Sequence, residues 1–248
     1  MTPLPDAFRR VPLAHRALHD RDAGVIENSP TAIARAVAAG YGIEIDLQLS
    51  ADGVPMVFHD DTLDRLTAAT GPVRARDAAE LCALTLTGGS DRIPTLADVL
   101  DPVAGQVPLL IELKTQDPDD GALEAATAAL LQGYAGPVAV MSFHPGMVAR
   151  MAALAPDVPR GLTTGSWDES YGQPAAVRDH LRAIPDATAV GASFISHEAA
   201  DLGRPRVAEL KAEGLAVLCW TIRTPEAEAA ARRIADNVTF EGYAAALP

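Results

Sequence analysis

Glu44, Asp46 and His59 fall within one short segment, and their types and spacing suit catalysis or metal binding. Glu44 and Asp46 alternate with isoleucine and leucine in a strand-like run, so both carboxylates point to the same face. An Asp-Gly turn at 52–53 and a second run, 54–58, then deliver the histidine. Two neighbouring carboxylates repel each other unless a cation or hydrogen-bond donors lie between them. The segment therefore indicates a cation site or, as the plainer alternative, an amphipathic hairpin with its polar edge in water.

Further charged residues end other apolar runs of the chain. His15 and Arg16 follow the first such run, and Glu112 and Lys114 share one face of a strand predicted over residues 107–113. If Glu112 faces the same space as the first two carboxylates, the three together are strongly destabilising without a compensating cation. Ligands that are all oxygen suit a hard ion, Mg²⁺ or Ca²⁺, rather than zinc.

The remaining charged residues of this set describe a site for an anion. Arg16 and Lys114 beside a metal form such a site, and arginine matches the geometry of phosphate especially well. His15 and His59 can serve as acid and base near neutral pH. A metal, two cations and two histidines around an anion are typical of phosphoryl transfer. A non-catalytic barrel that binds a phosphorylated metabolite remains the alternative, although it has no need of two histidines.

Composition narrows the class of protein. The chain has 248 residues, 48% of them hydrophobic, and a formal net charge of −13, which suits a folded domain that repels nucleic acid and anionic membranes. It contains no apolar stretch of about 18 residues, and its N-terminus lacks the apolar core of a signal peptide. Cys82 and Cys219 do not suggest a disulfide scaffold. We therefore expect a cytoplasmic enzyme or binding protein without nucleic-acid partners or stable membrane insertion; the sequence yields no prediction of oligomeric state.

Apolar runs alternate with helical stretches, and this alternation predicts a parallel sheet. Strands are predicted at 11–14, 43–47, 107–113, 138–142, 160–163, 189–196, 215–222 and 237–240. Helices are predicted at 30–39, 76–84, 96–100, 119–133, 145–154, 174–184, 205–213 and 225–234. Eight strand units in about 250 residues favour a closed (β/α)8 TIM barrel over an open sheet. We expect one domain over residues 1–248, with a small hairpin insertion after the second strand, at about 51–92.

The predicted barrel indicates where the candidate site lies, because active sites of this fold lie at the C-terminal ends of the strands. The polar residues predicted at those ends are His15, Arg16, Glu44, Asp46, Glu112, Lys114, Ser142 and Trp220, with His59 arriving on the inserted hairpin. The first three barrel strands are neighbours, so three carboxylates, two cations and two histidines are expected to meet on one side.

The order and spacing of these residues resemble the glycerophosphodiester phosphodiesterase family. The resemblance rests on His15-Arg16, Glu27-Asn28, Glu44-Ile45-Asp46, Asp52-Gly53-Val54-Pro55, His59-Asp60, Ile93-Pro94-Thr95-Leu96, Ile111-Glu112-Leu113-Lys114 and Trp220-Thr221. It implies a (β/α)8 barrel that uses a divalent cation, Mg²⁺ or Ca²⁺, to hydrolyse glycerophosphodiesters to glycerol 3-phosphate and an alcohol. It thus implies a hydrolase of lipid metabolism whose substrate is a small molecule.

The resemblance also implies a role for each candidate residue. It makes His15 and His59 the acid/base pair, Glu44, Asp46 and Glu112 the metal ligands, Arg16 and Lys114 the phosphate-binding residues, and Trp220 a wall of the glycerol pocket. Two positions depart from the family pattern. Ala17 stands where glycine is usual, and Phe240-Glu241 stands where the family has Thr-Asp.

A lipid phosphodiesterase resembling sphingomyelinase D is a further alternative, since it would share the metal and the two histidines but act at a membrane. The net charge of −13 and the lack of an obvious apolar docking segment argue against it.

Overall fold

Eight parallel strands close into a barrel in the computed structural model, which describes residues 2–248, the side chain of Tyr171 excepted. The strands are β1 (Leu13–Ala14), β2 (Gly42–Leu49), β3 (Pro55–Val57), β4 (Leu109–Leu113), β5 (Val138–Ser142), β6 (Arg160–Thr164), β7 (Phe194–Glu198), β8 (Ala216–Ile222) and β9 (Asn237–Phe240). β1 pairs with both β2 and β9, which closes the ring, and β3 lies antiparallel on β2 outside it. The predicted TIM barrel with a hairpin after its second strand is confirmed.

Helices surround the barrel and connect most of its strands. They are α1 (Ala7–Arg10), α2 (Pro30–Ala39), α3 (Ala78–Leu81), α4 (Leu96–Val103), α5 (Ala122–Leu131), α6 (Pro145–Leu154), α7 (Ala175–Ala183), α8 (Pro205–Ala212) and α9 (Pro225–Ala231), with 3-10 turns at Arg21–Ala23, Val73–Ala75, Glu169–Tyr171 and Ala199–Asp201. Within residues 2–248, no helix has both the length and the apolar character required to cross a bilayer.

The start and end of α2 follow from local chemistry. The Ser29 hydroxyl accepts the N–H of Ala32 at 3.2 Å, and Pro30 takes the first helical position, where no N–H is needed. Gly40 ends the helix with a φ of 77°, a conformation that glycine adopts without steric cost. Helix α2 therefore returns the chain to β2 at the position that the sequence predicts.

Alternate residues of the strands belong to two apolar clusters. Ile43 and Ile45 belong to the large cluster between barrel and helices, whereas Leu110 and Met141 pack with Phe8 of α1 in a smaller cluster. Burying one such side chain contributes about 1.5–3 kcal/mol. Because side chains of a strand alternate in direction, the residues that lie between the outward-facing isoleucines of β2 point into the barrel.

The predicted boundaries differ from the structure mainly at segment ends. The strand predicted at 189–196 begins only at Phe194, because hydrogen-bonded turns occupy the residues before it. The Val190 N–H donates to the Asp186 carbonyl, and Gly191 has a φ of 65°. The helix predicted at 76–84 is reduced to α3, and the last helix ends at Ala231 rather than at 234.

The insertion between β2 and α4 has an apolar cluster of its own. Its buried members include Phe58, Leu63 and Leu66, together with Met56 of β3 and Ile26 from the loop after β1. This packing ties the insertion to the loop that precedes α2.

Candidate active site

One cavity at the C-terminal ends of the barrel strands is lined by all eight residues that the resemblance assigns to the site. It is lined by His15, Arg16, Glu44, Asp46, His59, Glu112, Lys114 and Trp220, joined by Met141, Phe143 and Thr239. Ser142 has a structural role instead, since its hydroxyl donates to the Leu113 carbonyl at 2.7 Å. The residues predicted at the strand ends, together with His59, therefore lie around one cavity, apart from this serine.

Glu44, Asp46 and Glu112 form a buried acidic cluster whose potential ligand oxygens lie within 4.8 Å of one another. The register of the sheet explains their proximity, because Asp46 of β2 stands directly opposite Glu112 of β4. Burial, together with the neighbouring charges of Asp46 and Glu112, raises the pKa of Glu44 well above its ordinary value. In the described part of the chain no ion pair involves Glu44; its carboxylate accepts the backbone N–H of Arg16 at 2.9 Å.

Lys114 neutralises the other two carboxylates. Its Nζ lies 2.8 Å from Oδ1 of Asp46 and 2.6 Å from Oε1 of Glu112. Burial alone would lower the pKa of Lys114, but these two carboxylates raise it above its usual value, so the ammonium is retained. Conversely, Lys114 lowers the pKa of Asp46 despite the burial of that carboxyl.

Arg16 approaches the cluster from the turn after β1. Its Nη1 donates to Oε1 of Glu27 at 2.8 Å, and its Nε lies 3.6 Å from Oδ2 of Asp46 with no hydrogen-bond partner among the described residues. Arg16 and Ala17 have φ values of 52° and 66°. Both residues are thus in the left-handed region that favours glycine, which explains why an alanine at position 17 is the less relaxed choice.

Each histidine of the cavity has a carboxylate at its Nδ1 atom. The distance is 2.7 Å from His59 to Asp60 and 2.5 Å from His15 to Glu241. This arrangement orients a ring and leaves Nε2 for a ligand. Burial lowers the pKa of His59, and the charges of Lys114 and Arg16 act in the same direction, against the carboxylates of Asp46 and Asp60.

Trp220 and Phe143 form the apolar part of the lining. Their ring centroids lie 5.7 Å apart in an edge-to-face arrangement, and the Trp220 indole N–H donates to the Ser196 carbonyl at 2.9 Å. The indole is therefore held in one orientation, with its apolar surface available to the cavity.

Several residues hold the site in place without a role that the sequence predicts. Asn28 donates from Nδ2 to Oδ2 of Asp46 at 2.9 Å, and Arg65 joins Glu27 to Asp60. Glu241 was noted only as a departure from a family pattern. Periodicity gives no signal for such residues, because they lie in loops. The signal for Glu27, Asn28 and Asp60 is their membership of the motifs that carry the resemblance, and Arg65 has no such signal.

Comparison with known proteins gives a family match over most of the chain. A model described as the glycerophosphoryl diester phosphodiesterase family matches residues 15–240. The Bacillus subtilis (strain 168) protein YhdW, whose name refers to glycerophosphodiester phosphodiesterase activity, is 29% identical over 197 residues, 75% of this chain and 76% of that protein. Homo sapiens glycerophosphodiester phosphodiesterase 1 is 29% identical over 176 residues, 64% of this chain and 50% of that protein. The chain thus spans only half the length of the human relative.

The barrel has a counterpart among solved structures. An Oleispira antarctica phosphodiesterase, in complex with its product sn-glycerol-3-phosphate, superposes with a TM-score of 0.77. The two chains share 24% identity, and the match covers 92% of this chain and 91% of that one. This likeness establishes the common fold.

Proposed function

Because this chain belongs to the glycerophosphoryl diester phosphodiesterase family, a family of phosphoric diester hydrolases, we propose that it hydrolyses glycerophosphodiesters to glycerol 3-phosphate and an alcohol. One observation carries the proposal: a single cavity joins three buried carboxylates, two cations and two histidines. The matched residues, 15–240, include every side chain that lines this cavity.

Glu44, Asp46 and Glu112 suit a divalent cation. Their donor set is all oxygen, which matches Mg²⁺ or Ca²⁺. A buried carboxylate without a charged partner is costly, and Glu44 is 2% exposed without an ion pair among residues 2–248. When bound there, such an ion supplies positive charge that stabilises oxygen atoms gaining negative charge during the reaction.

Arg16 and Lys114 bind the phosphate in this proposal. Both are held beside the acidic cluster by carboxylates. The Arg16 Nε is buried and has no hydrogen-bond partner within residues 2–248 as described, which suits it to an oxygen of the substrate. Trp220 and Phe143 offer an apolar wall against which the carbon chain of the glycerol packs.

The two histidines move the protons. One removes the proton of the glycerol hydroxyl next to the phosphoester, and the new bond from this oxygen to phosphorus gives a cyclic glycerol phosphate. The other histidine protonates the departing alcohol as its bond to phosphorus breaks. Water then opens the ring while the histidines act in reversed roles. Binding gives the attacking hydroxyl a high effective concentration, so no covalent intermediate with the protein is needed.

The cavity favours this reaction over simple binding of a phosphorylated metabolite. A binding site needs Arg16 and Lys114, but it does not need two histidines whose Nδ1 atoms are both fixed by carboxylates. Enzymes that transfer protons use this pairing of imidazole with carboxylate to set the ring orientation.

The test is an assay of the purified protein on glycerophosphocholine, glycerophosphoethanolamine and glycerophosphoglycerol, with Mg²⁺ or Ca²⁺ and with chelator. We expect cleavage of at least one diester to glycerol 3-phosphate, only with the cation. The deoxy analogue that lacks the adjacent hydroxyl should bind but react very poorly; equal turnover of both would refute the cyclic step. Sphingomyelin vesicles complete the panel: cleavage of these alone would favour the sphingomyelinase D-like alternative, and cleavage of nothing the binding protein.

A further inference from the structure

Arg65 is not part of the cavity lining, yet its guanidinium holds two carboxylates with two hydrogen bonds each. Its Nε and Nη2 donate to the oxygens of Asp60 at 2.7 and 3.0 Å. Its Nη1 and Nη2 donate to the oxygens of Glu27 at 2.9 and 2.8 Å. A planar guanidinium matches two carboxylates in this way, whereas a lysine ammonium does not.

Both carboxylates of Arg65 hold a residue of the cavity with their other contacts. Asp60 contacts Nδ1 of His59 at 2.7 Å, and Glu27 accepts a hydrogen bond from Nη1 of Arg16 at 2.8 Å. An unbroken series of charged contacts therefore runs from His59 through Asp60, Arg65 and Glu27 to Arg16. It joins a proton-transferring residue to a phosphate-binding residue around the outside of the cavity.

We propose that Arg65 is a positioning residue, which fixes His59 and Arg16 relative to each other and thereby aligns proton transfer with the bound phosphate. This inference rests on the proposed function. It also gives the insertion after β2 a catalytic purpose, because Asp60 and Arg65 both belong to it, while Glu27 belongs to the loop before α2.

The backbone on both sides of this contact is held by one apolar cluster. Leu63 and Leu66, which flank Arg65, are 0% and 2% exposed within the core of the insertion. Ile26, which precedes Glu27, packs into the same cluster. The guanidinium and one of its two carboxylates are thus delivered from segments that are packed together, as a positioning contact requires.

A purely structural ion pair is the competing explanation, and the insertion supplies a matched control for it. Arg74, also in the insertion, forms an ion pair with a carboxylate oxygen of Asp120 and donates a hydrogen bond to the carbonyl of Pro118 at 3.0 Å. These partners do not line the cavity. The Arg74 pair is the more weakly constrained of the two and should contribute little to stability. Loss of Arg65 removes partners of the half-buried Glu27 and Asp60, so it should lower stability while leaving the protein folded.

The first experiment compares Arg65→Gln, Arg65→Lys and Arg74→Gln in the assay with glycerophosphodiester and cation. We expect Arg65→Gln to lower kcat roughly 10- to 100-fold and to raise KM, because both His59 and Arg16 lose alignment. The kcat and KM of Arg65→Lys should be intermediate, since one ammonium cannot make two hydrogen bonds to each of the two carboxylates. Arg74→Gln should stay within about twofold of the parent in turnover, with a thermal midpoint close to it. Arg65→Gln should have a lower thermal midpoint but remain fully folded at the assay temperature.

Double substitutions separate positioning from general destabilisation. If Arg65 acts through Asp60 on His59, Arg65→Gln should barely change kcat in an Asp60→Asn background. If it acts through Glu27 on Arg16, it should barely change KM in a Glu27→Gln background. Effects that are fully additive in both backgrounds would overturn the proposal, because residues that act through one another are not additive.

A second readout does not depend on activity. In ¹⁵N spectra of the imidazoles, assigned with a His59→Asn variant, the neutral ring of His59 should carry its proton on Nδ1, where Asp60 accepts it. Arg65→Gln should shift this ring toward the other tautomer, and an unchanged tautomer would overturn the proposal. An active parent with a fully active Arg65→Gln variant would overturn this inference alone, whereas a parent that cleaves no diester would overturn the proposed function as well.

Discussion

Oε2 of Glu241 lies 2.5 Å from Nδ1 of His15, although the two residues are 226 positions apart in the chain. The other oxygen of Glu241 accepts a hydrogen bond from Nε of Arg223 at 2.7 Å. The hydrogen bond to His15, with His19 Nε2 close by at 3.7 Å from Oε2, lowers the pKa of Glu241 far below its usual range, so the carboxylate is fully ionised. Glutamate at the position where the family pattern has aspartate therefore reaches and orients a histidine of the cavity.

Glu241→Gln should lower kcat by roughly 10²–10⁴-fold, with little change in KM, because the neutral amide no longer holds His15 in one tautomer and no longer stabilises its charged form. Steady-state kinetics on a glycerophosphodiester measure the effect. Glu226→Gln, on the exposed face of α9, is the control and should leave turnover unchanged. A fully active Glu241→Gln enzyme would mean that the contact does not serve His15 in the reaction.

His15→Ala and His59→Ala should each lower turnover by roughly 10²–10⁴-fold if these rings transfer the protons. Thermal midpoints should remain near that of the parent, since both side chains are partly exposed at the cavity. His180→Ala, on an exposed part of α7, serves as the control. In the parent the pH–rate profile should be bell-shaped; normal turnover of His59→Ala would assign the insertion a structural role only.

Glu44→Gln should stabilise the cation-free protein against thermal unfolding at neutral pH, because it removes a buried carboxyl whose ionisation is opposed by burial and by two neighbouring carboxylates. The same variant should lose the stabilisation that Mg²⁺ or Ca²⁺ gives the parent, about 2.7 kcal/mol at a hundred times the Kd. Thermal scans with and without the cation measure both effects. An equal response of parent and variant to the cation would remove Glu44 from the proposed ligand set.

Glu27 should make stability depend on pH in the acidic range. Burial alone would raise its pKa, but hydrogen bonds from Arg65 and the charge of Arg16 lower it from 4.5 to about 2. A carboxyl whose pKa is lower in the folded state stabilises the fold above pH 4.5 and loses this contribution as the pH falls toward 2. The full effect is at most about 3–4 kcal/mol. Urea unfolding of the parent and of Glu27→Gln between pH 5 and pH 2 should show a shallower pH dependence in the variant.

The fold could be predicted from the sequence because the residue patterns that indicate its helices and strands are local. Ser29, Pro30 and Gly40 mark the ends of a helix, and the isoleucines of β2 show period-2 alternation. The strand predicted from 189 fails for a local reason as well, since the apolar residues before Phe194 are used by turns. Boundaries of this kind depend on hydrogen bonds that composition does not reveal.

The residues that line the cavity could be predicted from the sequence for a different reason. Parallel strands of a barrel end on one side, so Asp46 and Glu112 could be placed together before their register was known. Arg65 and Glu241 could not, because they lie in loops and meet their partners only through tertiary packing. Nothing in the chain near either residue encodes a contact with Glu27 or with His15.

The two residues of β1 are the whole of the strand that completes the barrel, and His15 and Arg16 follow it at once. A closed ring of strands opens locally most readily where the fewest backbone hydrogen bonds join neighbouring strands. The seam of this barrel therefore coincides with the turn that carries two residues of the proposed site. A substrate that contacts both that turn and β2 links the two sides of the seam. Bound substrate should therefore slow amide hydrogen exchange in β1 far more than in β4 or β5.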